Sequence, residues 1–238
     1  MNTYSDVFCK VYDAFGWNYY PEVFGQQLLQ WLRKKGLSPE TSMDLACGTG
    51  ILCQLLQQNG IRAAGMDLSR GMIDIARQRT PEIPYDVADM TTYRLDRQFD
   101  LVTCTGDALN HIPDLADVEK IFATIHAYLA PGGYFVFDLL DEREISTEEP
   151  FDLDFDEHIS ARFRITRPEQ NKVHLQTQVF EDGVHSFTED IFETVHDREA
   201  VLELLRRAGF TIESCAHRLL EDGADVATWY VIARKICA

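Results

Sequence analysis

The strongest constraint on the fold is an alternation of strand-like and helix-like stretches between residues 40 and 140. Apolar runs such as "SMDLA" and "IRAAGMDLS" flank "GILCQLLQQNG", in which apolar residues recur at helical spacing and a glycine follows the last turn. Further strands are predicted in "IPYDVADM", "QFDLVTCTG" and "YFVFDLL", with helices in "SRGMIDIARQRTP" and "DLADVEKIFATIHAYLAPGG" among them. This alternation predicts a doubly wound, mostly parallel α/β sheet whose ligand lies beyond the carboxyl ends of the strands.

The segments on either side of this core show other patterns. A helix is predicted over 22–35, and the aromatic run "VYDAFGWNYY" before it can either form a lid or pack against the sheet; we assign 1–35 to an N-terminal helical lid. Residues 150–196 alternate polar with apolar residues around two turns, which predicts an antiparallel insert of about three strands. Residues 36–149 and 197–238, the latter a helix and a final hairpin, form the ligand-binding domain.

Charge and composition limit the partners of the chain. With 39 acidic and 22 basic residues the formal net charge is −17, which disfavours nucleic acid and anionic membranes and favours a small or cationic ligand. No apolar run approaches the roughly 18 residues of a membrane span, and the first residues do not resemble a secretory leader, so a cytoplasmic protein is expected. The six cysteines form no CxxC pair and are expected to be reduced, and no side chains show metal-ligand spacing, so no metal is expected.

The sequence "MDLACGTG" places Gly48 and Gly50 directly after the first predicted strand. Glycine tolerates positive φ and lets a ligand approach the backbone closely, although a plain strand-to-helix turn would show the same two residues. A dinucleotide-binding loop would carry a third glycine where this chain has Cys53, and no lysine or arginine stands in the loop to meet a phosphate. A nicotinamide-dependent dehydrogenase is therefore the weaker hypothesis.

Acidic residues close the next two predicted strands. The Asp67 carboxylate can accept hydrogen bonds from both hydroxyls of a ribose. Asp89 can accept one from the exocyclic amine of adenine, while Met90 packs near the ring. Together with the glycine loop, these strand ends predict an adenosine ligand that carries a cationic group.

The order of the motifs "DLACGTG", "GMDLS", "DVADM", "FDLVTCTGDALNHI" and "LAPGGYFVFDLL" resembles that of class I S-adenosylmethionine-dependent methyltransferases over residues 40–140. The resemblance implies S-adenosylmethionine as the cofactor and a Rossmann-like sheet of seven strands, with antiparallel sixth and seventh strands and the β insert after the fifth. It places the chain from Asp44 to Gly50 along the methionine part of the cofactor. The residues that it implies at the cofactor are Tyr19, Asp44, Ala46, Cys47, Gly48, Gly50, Asp67, Leu68, Met72, Ala88, Asp89, Met90 and Thr105.

The loop after the fourth predicted strand, "TCTGDALNHIPDL", carries Asp107, Asn110 and His111. Polar groups here would face the transferring methyl, so we predict catalytic roles for Asn110 and for His111, which can take a proton from an amine or orient it; His111 can instead anchor the following helix. The combination of "VYDAFGWNYY", "ALNHI" and a β-rich insert resembles sugar N-methyltransferases, and equally small-molecule methyltransferases with no assigned substrate. That resemblance implies that Tyr12 and His111 lie near the amine, whereas Asp107 and Asn110 depart from the small serine and glycine residues of the sugar enzymes.

These features predict a methyltransferase that moves the sulfonium methyl to a small-molecule acceptor, an amine first, by in-line displacement. The insert is expected to cover the mouth of the site and select the substrate, or to pair across a two-fold axis in a homodimer. The alternative is a protein with the same fold that binds the cofactor or a partner without catalysis.

Overall fold

A computed structural model of the protein describes residues 4–94, 97–145, 149–220 and 228–236. Its strands form two sheets, one of seven strands and one of four. The strands are β1 (Thr41–Leu45), β2 (Arg62–Asp67), β3 (Tyr85–Val87), β4 (Phe99–Cys104), β5 (Leu129–Leu140), β6 (Phe151–Asp154), β7 (Ile159–Thr166), β8 (Lys172–Glu181), β9 (Val184–Thr194), β10 (Phe210–Ala216) and β11 (Thr228–Lys235).

The seven-stranded sheet has the order β10-β11-β5-β4-β1-β2-β3. Strands β1 to β5 pair in parallel, whereas β11 runs antiparallel to both β5 and β10. The predicted Rossmann-like fold is confirmed. β1 lies between β2 and β4. The later strands β2 and β3 extend the sheet on one side of β1, and β4 and β5 extend it on the other. At this reversal of strand order a crevice opens at the carboxyl ends of the strands.

Six α-helices accompany the strands in the described part of the chain. They are α1 (Asp6–Val11), α2 (Tyr19–Lys35), α3 (Ile51–Gln58), α4 (Arg70–Arg79), α5 (Leu115–Tyr128) and α6 (Arg198–Arg207). The apolar faces of α2, α3 and α4 cover one face of the large sheet, and those of α5 and α6 cover the other. Among the described residues no helix is long and apolar enough to cross a membrane.

The boundary between α5 and β5 lies earlier than the sequence pattern indicates. The helix was predicted to stop at Pro131 and the two glycines after it, but α5 already ends at Tyr128 and β5 begins at Leu129, which pairs with Phe99 of β4. Pro131 disfavours helical geometry in the residue before it and has no amide proton to donate. Gly132, at a φ of 77°, then turns the chain in a way that other residues rarely allow.

The four-stranded antiparallel sheet, in the order β6-β7-β8-β9, lies between β5 and α6 in the sequence. Three strands were predicted for this insert; the additional one is β6, formed by the acidic sequence "FDLD". The side chain of Asp152 pairs with Arg162 on the neighbouring strand at 2.7 Å, so a run that looks like a solvated loop forms an edge strand.

The N-terminal segment and the inner face of this small sheet pack together into what we call the roof: residues 4–17 and strands β6 to β9. Its core consists of Phe8 and Phe15 from the N-terminal segment with Phe163, Val179 and Ile191 from the insert. The roof covers the crevice of the large sheet.

A polar contact also joins the two parts of the roof. Ser5 donates from its amide to one oxygen of Glu189 on β9 at 3.1 Å and from its hydroxyl to the other at 2.6 Å. Helix α2 lies outside the roof, because Phe24, Leu28 and Leu32 are buried against the large sheet. The segment predicted as a single lid, 1–35, thus has two structural parts that divide near Trp17.

Candidate active site

A cavity of about 510 Å³ lies between the roof and the carboxyl ends of β1, β2 and β4. Both sheets and the N-terminal segment contribute to its wall. The residues that were predicted from the sequence and lie in this wall are Tyr12, Asp44, Ala46, Cys47, Gly48, Asp67, Leu68, Met72, Ala88, Met90, Thr105 and His111. The large sheet therefore brings together motifs that are far apart in the sequence.

The glycine loop contributes main-chain surface to the cavity. Gly48 has a φ of 53°, and a Cβ atom added to it would find no heavy atom within 4 Å. Its amide donates a hydrogen bond to Oδ2 of Asp67 at 3.0 Å. The loop thus leaves open space beside its backbone and is fixed to the end of β2.

Gly50, which was predicted to contact the cofactor, lies outside the wall. A Cβ atom there would come within 2.6 Å of the Tyr85 hydroxyl oxygen, so packing requires this glycine. Cys53, in place of a third glycine, is fully buried, and its Sγ lies 3.6 Å from the carbonyl oxygen of Ala64. Helix α3 therefore packs on the sheet with room for a cysteine side chain.

Two carboxylates at the ends of β1 and β2 have protein partners. Asp67 accepts hydrogen bonds from the amides of Gly48 and Ser69, at 3.0 and 2.8 Å, which leaves further lone pairs on both oxygens. Burial raises the pKa of Asp67, and these amide hydrogen bonds partly offset the rise. Asp44 accepts from the Thr103 hydroxyl at 2.6 Å, and burial raises its pKa to about 7.

The charge of the wall decides which cofactor the cavity fits. Its acidic residues are Asp44, Asp67, Asp107 and Glu193, and the described lining contains no lysine or arginine. Such a wall attracts a cation and repels phosphate. S-adenosylmethionine, with a sulfonium charge and no phosphate, fits it: Asp67 would hold the ribose hydroxyls, Met90 would lie along the adenine, and the loop at Gly48 would border the methionine part.

Tyr19 and Asp89 do not contribute side chains to the wall. Tyr19 begins α2 and is 69% exposed, whereas the next residue, Tyr20, lines the cavity. The two side chains differ because successive helical residues point about 100° apart. Oδ1 of Asp89 accepts from the amide and hydroxyl of Thr91 at 2.8 and 2.7 Å, so this carboxylate shapes the turn after β3.

The structure also corrects the expectation for Asn110. The residue is 1% exposed and lies in the short 3₁₀ helix Ala108–His111. Its amide group donates to the carbonyl oxygen of Thr194 at 2.8 Å, and its side-chain oxygen accepts from the amide of Leu140 at 3.1 Å. Asn110 therefore joins the loop after β4 to the ends of β5 and β9 and does not face the cavity.

His111, in the loop after β4, and Glu193, on β9, lie close to each other in the cavity wall. The Nε2 atom of His111 lies 3.6 Å from Oε1 of Glu193, and both side chains are largely buried. Burial lowers the pKa of His111; burial first, and then repulsion from Asp138, raise that of Glu193 to about 7. The ring of Tyr4 stands edge-on to the imidazole, with ring centroids 6.2 Å apart.

Asp138, at the end of β5, fixes the loop beside this histidine. It is fully buried and accepts from the amides of Gly106 and Asp107 at 3.0 and 3.1 Å and from the hydroxyl of Tyr20. Burial raises its pKa to about 6. The arrangement connects helix α2 to the β4 loop, in which Asp107 adopts a left-handed φ of 59°.

Sequence reasoning missed three residues of the site: Tyr4, Tyr20 and Glu193. Tyr20 was recognised only as part of an aromatic run. Glu193 belongs to a strand without any motif, and the signal that could have found it is its position two residues after the apolar Ile191, on the inner face of a half-buried strand.

Comparisons with known proteins agree with this geometry. A family model described as a methyltransferase domain matches residues 17–215. The putative methyltransferase YqeM of Bacillus subtilis is 27% identical over 214 residues, which cover 84% of this chain and 83% of that protein. The dTDP-4-amino-2,3,4,6-tetradeoxy-D-glucose N,N-dimethyltransferase of Saccharopolyspora spinosa is 27% identical over 135 residues, 57% of this chain and 53% of the enzyme. The chain thus spans about half the length of that relative.

A solved S-adenosylmethionine-dependent methyltransferase from Clostridium acetobutylicum superposes with a TM-score of 0.82 at 21% identity. The match covers 96% of this chain and 98% of that one, and it shows a common fold. The family model, by contrast, matches most of the chain and therefore shows the family to which the protein belongs. The protein belongs to the methyltransferase-domain family.

Proposed function

We propose that the protein transfers the methyl group of S-adenosylmethionine to the nitrogen of a small-molecule amine. The observation that carries this proposal is the acidic wall of the cavity, whose described residues include four carboxylates and no lysine or arginine. Such a wall favours an acceptor that arrives as a cation. The similarity to an amino-sugar N,N-dimethyltransferase supports the same acceptor chemistry.

The chain's own residues supply orientation and a proton acceptor. An ammonium must lose a proton before its nitrogen can attack, and His111 is suited to accept it because its lowered pKa keeps the imidazole neutral at pH 7. Burial raises the pKa of the Tyr12 phenol, so this hydroxyl stays protonated and can donate a hydrogen bond that orients the acceptor. Alignment of nitrogen and methyl supplies much of the rate of an in-line displacement, and the roof excludes water from it.

The insert is proposed to serve substrate selection and dimer formation. Glu193 reaches the cavity from β9, which supports a role in selecting the substrate. On the opposite edge, β6 exposes 47% of Phe151 and 46% of Leu153, and this supports pairing with a second copy. The mass of the protein in solution, measured by light scattering, tests the dimer. A Phe151→Asp variant that leaves the mass unchanged would argue against this edge.

The activity is tested with a panel of amines and amino sugars, by measuring the release of S-adenosylhomocysteine. Tyr12→Phe and His111→Ala should lower turnover and leave the affinity for S-adenosylhomocysteine nearly unchanged. Tyr19→Phe is the matched control, because this exposed tyrosine lies outside the cavity. Binding of the cofactor without turnover on any amine would refute the proposal and favour a non-catalytic role.

A further inference from the structure

Two carboxylates of the cavity have no hydrogen-bond donor among the described residues. Asp44 and Asp67 accept from the protein, as shown above. No described residue donates to the carboxylate of Asp107, although it lies in the cavity wall. Oε1 of Glu193 lies 3.6 Å from Nε2 of His111, which is longer than a hydrogen bond, and this imidazole is neutral at pH 7 because burial lowers its pKa.

The protein holds both positions firmly. The amide of Asp107 donates to the buried Asp138, and its left-handed backbone conformation is uncommon for a residue other than glycine. Glu193 belongs to β9, where it pairs with Val173 of β8 and follows the buried Ile191 on the same face.

Ionisation of these two carboxyl groups is unfavourable in the ligand-free protein, because each has lost part of its hydration, has no donor in the described part of the protein and would repel the other once charged. A group that supplies positive charge and several donors would relieve both effects. An ammonium does so, since each of its N–H bonds can donate to an oxygen. The cavity therefore contains the anionic half of a binding site for an amine.

We propose that Asp107 and Glu193 together bind the acceptor, one carboxylate holding its ammonium group and the other a second donor on the same molecule. The inference rests on the proposed function and defines the acceptor more closely: an amine with a neighbouring amine or hydroxyl group. Asp107 belongs to the large sheet and Glu193 to the insert, so the acceptor lies between the two parts of the protein. Glu193 is the residue through which the insert selects the substrate.

This arrangement is consistent with the chemistry of the transfer. One N–H bond of the ammonium breaks and its proton passes to Nε2 of His111, while the adjacent Glu193 carboxylate stabilises the imidazolium that forms. The freed lone pair forms the N–C bond as the C–S bond breaks, and sulfur keeps the electron pair of that bond. His111 then releases one proton to solvent for each methyl transferred.

Binding of an amine should also displace protons from the pair. Burial, and then repulsion from Glu193 and Asp138, raise the pKa of Asp107, and that of Glu193 lies at about 7, so the ligand-free pair retains protons near neutral pH. An ammonium placed beside them lowers both pKa values. The titratable groups that surround the pair are His111, Asp138, Tyr4, Tyr12, Tyr20 and Tyr230.

Calorimetry on the full chain saturated with S-adenosylhomocysteine tests the inference. The probes are 1,4-diaminobutane, 2-aminoethanol, glucosamine and butylamine, each titrated near pH 7 in phosphate and in MOPS, two buffers whose enthalpies of ionisation differ. The probes with two donor groups should bind more tightly than butylamine and release protons into the buffer. Asp107→Asn and Glu193→Gln should each weaken their binding by about 10- to 100-fold and reduce the proton release.

Asp190→Asn is the matched control, because this carboxylate lies on β9 but accepts from His174 and Gln176 outside the cavity. The melting temperature and the affinity for S-adenosylhomocysteine establish that each variant is folded, and Glu193→Asp tests whether a shorter carboxylate restores part of the binding. The inference is overturned if no probe binds at millimolar concentration, or if binding and proton release are unchanged in both variants. If those variants still methylate amines at the wild-type rate, the proposed function stands without it. Failure to bind S-adenosylhomocysteine would instead contradict the cofactor assignment itself.

Discussion

Replacement of Asp67 by asparagine tests the contribution of this carboxylate to cofactor binding with little change in side-chain shape. The carboxylate already accepts from the amides of Gly48 and Ser69, at 3.0 and 2.8 Å, so alanine would also release the glycine loop from β2. Gly48 donates to Oδ2 and Ser69 to Oδ1, so asparagine keeps an acceptor for only one of the two amides; it preserves the shape of the side chain and removes the negative charge beside the ribose hydroxyls. Hydrogen bonds to a charged group contribute about 1.5 to 3 kcal/mol each. Loss of one such hydrogen bond to the ribose should therefore weaken binding about 10- to 150-fold.

Titration calorimetry with S-adenosylhomocysteine measures this loss, and thermal unfolding establishes that the variant is folded. Asp74→Asn provides the comparison, since Asp74 lies on α4 with about half of its side chain exposed and pairs only with Arg77 among the described residues. Its affinity should equal that of the wild type. A dissociation constant for Asp67→Asn within twofold of the wild-type value would refute the assignment of Asp67 to the ribose.

Three further predictions concern the loop, the core and the dependence on pH. Alanine at either Gly48 or Gly50 strains a backbone with positive φ, 53° and 80° respectively. Gly50→Ala should lower the melting temperature further, because its Cβ would also collide with the Tyr85 hydroxyl, whereas Gly48→Ala should weaken cofactor binding in calorimetry more, because its Cβ would enter the open space of the cavity. Asn110→Ala should lower the free energy of unfolding by about 2 to 4 kcal/mol in a denaturant titration, because it removes the side-chain partner of one buried and one partly buried backbone group. A wild-type melting temperature would contradict its structural role. The ligand-free protein should lose thermal stability as the pH rises from about 6.5 to about 8, because Asp44 and Glu193 have folded-state pKa values near 7, above those of the unfolded chain, and the stability that their protonated forms contribute is lost as they ionise. Below this interval the lowered pKa values of His111, His126 and His196 act in the opposite direction. A melting temperature that rises over this interval would contradict the assigned burial.

Most of the cavity-wall residues that were assigned to the cofactor could be brought together from the sequence alone. Each of them lies at the end of a strand or a few positions after it, and parallel strands bring their carboxyl ends to one edge of the sheet. Gly48, Asp67 and Met90 could therefore be placed together without knowledge of the packing. Gly50 was misplaced because a glycine required by ligand approach and one required by packing against Tyr85 have the same appearance in a sequence.

The acceptor half depends on contacts that no local pattern encodes. Tyr19 and Tyr20 are neighbours with the same side chain, and only the rotation of α2 on the sheet decides which one faces the cavity. Asn110 precedes His111 in one short loop, yet its amide is turned toward the ends of β5 and β9. Glu193 arrives from an insert more than eighty residues further along the chain, and its role became visible only through its distance from His111.

The packing of Phe8 and Phe15 against the inserted sheet has a consequence for turnover. These rings and the two hydrogen bonds from Ser5 to Glu189 join the first helix to the insert. We therefore expect the helix and the insert to move together. If the roof has to open for S-adenosylhomocysteine to leave, this joint movement would take Glu193 away from His111. The groups proposed to bind the acceptor would then separate whenever the cofactor is exchanged and would come together again before the next methyl transfer.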